Sequence, residues 1–488
     1  MTSLTSPPIH RWRAFSLLAV AAFMTVMDLT IVNTALPTIG RKLHFSQTSL
    51  LWVVTAYELA YGGFLLLGGR AADLLGRRRV IIGGLAVFTA ASLGASLAGR
   101  PALLITMRAI QGVGAAMFLP AALSTVRNMF TEGAERNKAL GIWGALAALG
   151  ATAGLVFGGL LTRFAGWQYV FLLNVPVGTV ALLLIRRVVP ETRVEVARRR
   201  YDPLGAVTVT GALVLLAYAI AQAPRAGWGA GRTIAELAIG VALLAAFLAI
   251  EARGEAPLMP LRIFRLQTLA GANAVGFLLG ASFYAFIFIG TLYMQQVLGF
   301  SALQGGFAWA ASGAASMLFA GISQALVTKV SAKLVLAFGM TVLGLGIFWT
   351  AQAPVHGHYL ADLFGPFLLG VGMGTAFTFI PISIAALAGV AEGEAGLASG
   401  LIYTSQELGG ALGIAIASSI AAGHYATLVR GGDTVRAALT GGFHAALWVS
   451  GAIALLAIPV TFLLIRREEM DAAVPATVIG EPQLEPAT

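Results

Sequence analysis

Apolar stretches of about 20 residues recur along the whole chain, and short polar segments separate them. An α-helix rises 1.5 Å per residue, so about 20 apolar residues in helical form cross the hydrocarbon core of a bilayer. We therefore predict an all-α, polytopic membrane protein in which each stretch is one transmembrane helix. The fourteen stretches are 14–36, 49–68, 80–98, 102–126, 139–161, 167–185, 204–223, 233–251, 268–297, 306–328, 334–352, 359–389, 396–423 and 442–465.

The basic residues indicate how these helices are oriented, because short cytoplasmic loops collect Lys and Arg. With the N-terminus in the cytoplasm, 22 of the 31 basic residues fall in cytoplasmic segments and 8 in outer loops. The segment 390–395 departs from this pattern, since it holds two acids, Glu392 and Glu394, and no base. An even number of helices then places both termini in the cytoplasm.

The composition supports the same class of protein. The chain is 58% hydrophobic and 11% charged, whereas a soluble protein carries about 25% charged residues. The net charge of +10 does not indicate a nucleic-acid partner, because the basic residues are spread over many loops. The chain has no cysteine, which excludes disulfides and thiol chemistry.

The polar segment between the second and third predicted helices carries one aspartate and four arginines. Gly69 and Gly76 favour a tight reversal of the chain, and Asp73 is placed to pair with an arginine or a helix N-terminus. The segment reads Gly-x-x-x-Asp-x-x-Gly-Arg-Arg, with Arg77 and Arg78 last. This pattern resembles the loop between helices two and three of the major facilitator superfamily. The resemblance implies that the segment is a cytoplasmic gating loop.

Other stretches are similar to one branch of that superfamily, the fourteen-helix drug:proton antiporters. They lie at 27–37 (MDLTIVNTALP), 108–114 (RAIQGVG), 166–178 (GWQYVFLLNVPVG), 202–205, 257–265, 295–305 and 396–413. The resemblance implies a major facilitator fold with fourteen transmembrane helices arranged as six, two and six.

The polar links of the chain agree with that arrangement. They divide it into an N-terminal six-helix half at 1–200, two extra transmembrane helices at 201–255, a C-terminal six-helix half at 256–467, and a tail at 468–488. The tail is acidic, contains proline and has no apolar run, so we expect it to be disordered.

Four glycines in the predicted fifth helix resemble the helix-packing motif of the antiporters. Gly150, Gly154 and Gly158 recur every four residues and make a smooth face against which another helix can pack closely, and Gly159 follows them. Leu155 stands where this motif usually has a proline, so we expect no proline kink at this point.

Two opposite charges are predicted at similar depth in the bilayer. Asp28 lies nine residues before Pro37, roughly 13 Å from the outer end, and Arg108 lies seven residues after Pro101, roughly 10 Å from the same end. Ionisable residues inside a membrane are costly and mark functional sites. We expect Asp28 to act in proton coupling with Arg108 and Gln111 as its charge and hydrogen-bond partners, or to form a static ion pair.

Two further acids, Glu58 and Glu407, lie near the middle of the second and thirteenth predicted helices. Desolvation favours the neutral form of a carboxylate, so such a group binds a proton readily. An arginine nearby has the opposite effect, which favours Glu407 over Asp28 as the proton carrier. For Glu58, a proton-coupling role and a packing role remain equally open.

Aromatic residues along the helices are candidates for an apolar drug pocket, although such residues also face lipid or neighbouring helices. The candidates are Tyr61, Tyr284, Tyr293, Phe377 and Tyr403.

Motifs for other functions are absent from the sequence. No phosphate-binding Gly-Lys-Ser/Thr loop occurs, so the chain contains no ATP motor, and no HExxH or GxSxG motif occurs. We therefore expect no enzyme activity, no catalytic residue, no metal site and no cofactor.

The sequence thus predicts a cell-membrane transporter that exports bulky lipophilic or cationic drugs in exchange for protons, most simply as a monomer. One alternative is a dedicated exporter of a single natural product that gives its producer self-resistance. The alternative from a different class is a membrane sensor or scaffold that transports nothing.

Overall fold

The protein is a bundle of long helices in the computed structural model, which describes residues 11–130, 134–189, 191, 203–254, 257, 261–390, 395–466 and 469. Fourteen long helices lie in these residues: α1 Arg11–Lys42, α2 Trp52–Leu75, α3 Arg77–Ser96, α4 Pro101–Met129, α5 Ala134–Phe164, α6 Gln168–Val188, α7 Pro203–Ala226, α8 Gly231–Arg253, α9 Gln267–Val297, α10 Ala302–Lys329, α11 Ala332–Thr350, α12 Tyr359–Ala385, α13 Ala395–Arg430 and α14 Val435–Leu464.

Each predicted apolar stretch overlaps one of these helices. Twelve helices within the described residues are long and apolar enough to cross a membrane. The other two are α2, which includes Glu58, Arg70 and Asp73, and α5, of which 152–164 is a shorter apolar segment. The predicted tail at 468–488 lies outside the described residues apart from Glu469, and so do residues 190 and 192–202 between α6 and α7.

The helices on either side of α7 and α8 pack in the same pattern. In α1–α6 the contacting pairs include α1 with α5 and α6, α4 with α2 and α3, and α3 with α6. In α9–α14 they include α9 with α13 and α14, α12 with α10 and α11, and α11 with α14. The second set repeats the first position for position, as expected for two related six-helix units.

The two units meet at two seams, one between α5 and α10 and the other between α2 and α13. Where α1 nears its end, the Gln295 side-chain amide on α9 also donates to the Thr34 carbonyl oxygen, at 2.9 Å. A cavity of about 400 Å³ lies at the same end, with Pro37, Arg41 and Gln296 in its wall. The units are therefore in contact at this end of the bundle.

The extra helix α7 packs on the seam between α2 and α13, and α8 packs on α7. Leu213 and Ala217 of α7 share a small apolar cluster with Leu59 of α2 and with Ala411 and Ala415 of α13. Because this cluster joins three helices, α7 covers the seam along the outer surface of the helix bundle.

The reversal after α2 occurs at Gly76 alone, which has φ of 102°. Left-handed backbone of this kind favours glycine. The expectation that Gly69 takes part in the reversal is wrong, since α2 stays helical to Leu75 and includes Gly69. The helix continues beyond the predicted apolar stretch because polar residues at its end do not break the helical hydrogen-bond pattern.

Candidate functional site

A buried ion pair lies inside the N-terminal unit. Arg108 Nη1 on α4 is 2.5 Å from Asp28 Oδ2 on α1, and neither side chain has any exposed surface. Arg108 Nε also donates to the Val53 carbonyl oxygen on α2, at 2.9 Å. The structure thus brings together the two charged residues that the sequence places at similar depth in the bilayer.

Three amide and hydroxyl side chains complete this network. Gln111 Nε2 donates to Asp28 Oδ1 at 3.0 Å and to Ser92 Oγ at 2.8 Å, and Gln111 Oε1 accepts from Arg108 Nη1 at 2.8 Å. Asn174 Nδ2 on α6 donates to the same Asp28 Oδ1 at 2.6 Å. Both Asp28 oxygens are therefore occupied, and side chains of α1, α3, α4 and α6 are tied together. We call Asp28, Ser92, Arg108, Gln111 and Asn174 the Asp28 network.

Aromatic rings enclose the arginine of this network. The Arg108 guanidinium carbon lies 4.3 Å from the Tyr57 ring centroid and 5.7 Å from that of Phe171, which are cation–π distances. The Tyr57 hydroxyl, Arg108 Nη2 and Asn174 Oδ1 are buried and have no hydrogen-bond partner among the described residues. These three atoms can each form a further hydrogen bond, either to a water molecule or to a side chain that a shift of the helices brings near.

Sequence reasoning missed Ser92, Asn174 and Tyr57 as members of this site. Asn174 did lie inside a stretch that resembles the antiporters, and a polar amide in an apolar helix was the available signal. Ser92 gave no such signal, because serines in apolar helices commonly bond their own backbone, as Ser92 also does to the Phe88 carbonyl oxygen.

The second acidic site lies at the seam between the two units. Glu407 of α13 accepts from the Tyr284 hydroxyl of α9 through Oε1, at 3.1 Å. Glu407 and Glu58 are only 4% and 2% exposed, and Oε2 of each has no hydrogen-bond partner among the described residues. A methyl group added to Gly62, one turn after Glu58, would lie 3.0 Å from Glu407 Cβ. The turn of α2 that carries Glu58 therefore packs closely against α13 at Glu407, and both acids are buried at the seam.

Three of the five predicted pocket aromatics gather around these acids. Tyr284 bonds to Glu407, Tyr61 lies one helical turn after Glu58 on α2, and the half-exposed Tyr403 lies one turn before Glu407 on α13. The other two lie apart, in the interior of the C-terminal unit. The Tyr293 hydroxyl donates to the Pro354 carbonyl oxygen at 2.7 Å, and Phe377 packs edge-on against Phe338 with ring centroids 5.3 Å apart.

The predicted gating loop is held to the end of the N-terminal unit. The Arg78 backbone N–H donates to Glu191 Oε1 at 3.3 Å, and Arg78 Nη1 donates to the Val189 carbonyl oxygen at 3.3 Å. Arg77 is buried and Arg79 is exposed. The Asp73 side chain lies outside the described part of the structure, so its predicted contacts remain a prediction.

The four predicted glycines of α5 contact two different helices. A methyl group on Gly154 or Gly158 would overlap the backbone of α1, and one on Gly159 would overlap that of α10. Gly150 is also close to α1, where an added methyl group would lie 3.1 Å from the Phe23 carbonyl oxygen. The close packing expected from the sequence is present, and α5 continues through Leu155 without a break.

No group of three or more His, Cys, Asp and Glu side chains that could hold a metal ion occurs among the described residues. The chemistry that these two sites offer is proton exchange and the binding of charge inside an apolar bundle.

Comparison with known proteins agrees with this architecture. The family model of the Major Facilitator Superfamily matches residues 18–414. The chain is 39% identical over 419 residues to a cephamycin export protein, CmcT, of Amycolatopsis lactamdurans, with 85% of this chain and 86% of that protein covered. It is 36% identical over 440 residues to a puromycin resistance protein, pur8, of Streptomyces alboniger, covering 89% and 87%.

Among solved structures, the POT family transporter PepTSo superposes with a TM-score of 0.69 at 15% identity, covering 94% of this chain and 98% of that one. At this identity the likeness shows the fold. The chain belongs to the major facilitator superfamily, and it is a multi-pass membrane protein.

Proposed function

We propose that this major facilitator protein exports small-molecule antibiotics or drugs from the cytoplasm in exchange for protons. Relatives that match most of the chain include an export protein for cephamycin, a resistance protein for puromycin and a multidrug resistance protein, Stp, of Mycobacterium tuberculosis. The structural observation that carries the proton-coupled part is the pair Glu58 and Glu407, buried where the two units meet.

The acid pair links protonation to the relative position of the units. Two carboxylates in one apolar site repel when both are charged, and desolvation penalises each charge further. A proton that reaches Glu407 from outside removes this repulsion and lets α2 and α13 close together. Loss of the proton to the cytoplasm restores the repulsion and favours separation. The protonation state thereby biases whether α2 and α13 are close together or apart, and with it which side of the protein is open.

The Asp28 network has a different role in this proposal. It joins α1, α4 and α6 through charge-assisted hydrogen bonds to Asp28 and joins α3 through the bond from Gln111 to Ser92, so the unit moves as one body. The Tyr57 ring covers Arg108, the Tyr61 ring lies one turn further along α2 with ring centroids 6.0 Å apart, and the next residue, Gly62, packs on Glu407. A proton on the acid pair therefore changes the field at Arg108.

We also propose that α2 and α5 cross the membrane with the other twelve helices, which gives fourteen spans with both termini in the cytoplasm. At 24 and 31 residues, both are long enough to span. Reporters fused after Thr488 and inserted in the 431–434 loop between α13 and α14 test this topology. A C-terminal reporter that is active only outside the cytoplasm would overturn it.

A dedicated exporter of one natural product is the second candidate. The names of the relatives favour it, since one is described as exporting cephamycin and another as giving resistance to puromycin. A narrow substrate range in the transport assay would support this candidate over a multidrug exporter.

The experiment is a susceptibility panel in a host that lacks its own pumps, combined with substrate-stimulated proton flux in vesicles. We expect resistance to at least one antibiotic class and a proton flux that the compound drives. Expression that changes neither resistance nor proton flux, at wild-type abundance in the membrane, would favour a sensor or scaffold instead.

A further inference from the structure

A second cavity lies at the end of the bundle where α7 turns into α8. Its volume is about 270 Å³, and its wall is formed by Tyr218, Gln222, Arg225, Ala226, Arg232 and Glu236. With both termini in the cytoplasm, as proposed above, this end of the two helices faces the outer leaflet. The cavity is smaller than the roughly 300–1,000 Å³ of pockets that enclose drug-sized ligands, so it suits a single charged group better than a whole exported compound.

The charged side chains in this wall leave a net positive charge. Arg232 Nε donates to Glu236 Oε1 at 2.8 Å, and Arg232 Nη2 donates to the Tyr218 hydroxyl at 3.0 Å. Neither Arg232 Nη1 nor the side chains of Arg225 and Gln222 donate to any described residue. Two arginines and one glutamate therefore give a charge of +1, and several N–H donors remain to bind an anion.

A row of aromatic contacts attaches this cavity to the N-terminal unit. The Arg232 guanidinium carbon lies 5.9 Å from the Tyr218 ring centroid, and the Tyr218 centroid lies 6.3 Å from that of Trp52. Trp52 is the first residue of α2. Arg232 is thus held by Glu236 and by both the hydroxyl and the ring of Tyr218. A donor that is already held in place loses less conformational entropy when it binds a ligand.

The position of the cavity along the helices is that of lipid headgroups. Arg232 is the second residue of the 23-residue apolar helix α8, so it lies at one end of the span. Trp228, in the turn between α7 and α8, is exposed, and tryptophan is enriched at the membrane–water interface. Further along α8, the side chains of Ile234, Ile239 and Val241 are each more than half exposed. Acyl chains can lie along this apolar surface while their phosphate reaches the arginines.

We propose that this cavity binds the phosphodiester headgroup of an anionic phospholipid, with Arg225, Arg232 and Gln222 as the donors. A headgroup of charge −1 balances the +1 of the cavity, whereas a zwitterionic headgroup does not. Free inorganic phosphate offers the same acceptor oxygens but makes no use of the apolar surface of α8. The site gives the α7–α8 hairpin a role, the attachment of one lipid beside the seam of α2 and α13, which is independent of the exported compound and of proton coupling.

The test counts the phospholipids bound to the purified protein by native mass spectrometry in a non-ionic detergent. Phosphatidylglycerol, phosphatidylethanolamine and inorganic phosphate are titrated separately. An arginine near a membrane surface contributes about fivefold to the binding of an anionic lipid. We therefore expect one phosphatidylglycerol to bind about 25-fold more tightly than phosphatidylethanolamine, as two arginines require. Inorganic phosphate at the same concentration should not displace it.

Variants of the wall should change this affinity in opposite directions. Arg225→Gln and Arg232→Gln should each weaken phosphatidylglycerol binding about fivefold, and together about 25-fold. Glu236→Gln should strengthen it about threefold, because it removes a like charge from beside the phosphate. Arg430→Gln is the matched control, since Arg430 is an exposed arginine at the outer end of α13 whose printed side-chain bonds stay within its own helix. Thermal unfolding without lipid checks that each variant is folded.

Three results would overturn the inference: unchanged phosphatidylglycerol binding in the folded double variant of Arg225 and Arg232, equal affinity for phosphatidylethanolamine, or an equal loss of binding in Arg430→Gln. Displacement of the lipid by inorganic phosphate at the same concentration would also overturn it and assign the cavity to a free anion. Binding is measured with no transported compound present, so these outcomes are separate from success or failure of the proposed export.

Discussion

Arg108 Nη1 on α4 lies 2.5 Å from Asp28 Oδ2 on α1, and neither side chain is exposed to solvent. A buried charge of this kind is stable only with its partner, because removal of one member leaves the other uncompensated. The pair is also held by Gln111 and Asn174, so its geometry is determined by several helices at once.

Asp28→Asn should destabilise the purified protein by about 3–5 kcal/mol, the usual cost of breaking a buried pair. Asparagine has one acceptor oxygen in place of two, and its amide would oppose a donor from the network. Ser92→Ala should cost less, about 1 kcal/mol, because the hydrogen bonds that it removes join neutral groups. Thermal unfolding in detergent compares the variants. Equal stability of Asp28→Asn and the unmodified protein would show that the pair contributes nothing to folding.

Glu407→Gln should remove the pH dependence of export even for an uncharged substrate. Glutamine has nearly the shape of glutamate and can still accept from the Tyr284 hydroxyl, but it cannot bind and release a proton. The measurement is drug-driven proton release from the purified protein with a neutral substrate. Normal release from Glu407→Gln, together with none from Asp28→Asn at a temperature where that variant is still folded, would make Asp28 the proton carrier instead.

Asp73→Asn should abolish transport and leave membrane insertion and abundance unchanged. This prediction rests on the loop motif, in which the acid and the following arginines stabilise the end of the N-terminal unit. Transport assays and membrane immunoblots on the same cells provide the measurement. Near-normal efflux would show that the motif determines only the orientation of the helices in the membrane.

Gly158→Ala should lower the thermal stability of the protein, because the new methyl group would overlap the Ile31 carbonyl oxygen of α1. Gly211→Ala on α7 is the matched control, since a methyl group there meets no atom within 4 Å. The control should be neutral or stabilising, because alanine is favoured over glycine in helices by about 0.5–1 kcal/mol. The same response from both variants would contradict the close packing of α5 on α1.

A disulfide between Leu66→Cys and Gly400→Cys should lock the seam of α2 and α13 and stop transport until a reductant is added. A methyl group on Gly400 would lie 3.1 Å from a Leu66 methyl carbon, and the chain has no cysteine that interferes. A second tether, Leu216→Cys with Gly240→Cys, joins only α7 and α8 and should leave transport unchanged. Full transport with the first tether closed would show that this seam need not open.

Several features of this protein follow from the sequence alone. Membrane helices are specified by local hydropathy, since each stretch of about 20 apolar residues satisfies its own backbone hydrogen bonds in the bilayer. For this reason the predicted stretches overlap the observed helices, and the depths of Asp28 and Arg108 were available by counting residues. The spacing of Gly150, Gly154 and Gly158 likewise predicted a face that another helix would contact.

The partners of these residues were decided only by the tertiary structure. A count along one helix gives depth but not the rotation of the helix about its axis or the identity of its neighbour. Asn174 and Ser92 therefore joined Asp28 without being predicted, and Tyr293 and Phe377 were directed into the C-terminal unit and away from the acids. Glu58 and Glu407 are 349 positions apart in the chain and become one site because α2 and α13 pack against each other. Such contacts depend on the shape and packing of whole helix surfaces, which no local pattern of apolar and polar residues encodes.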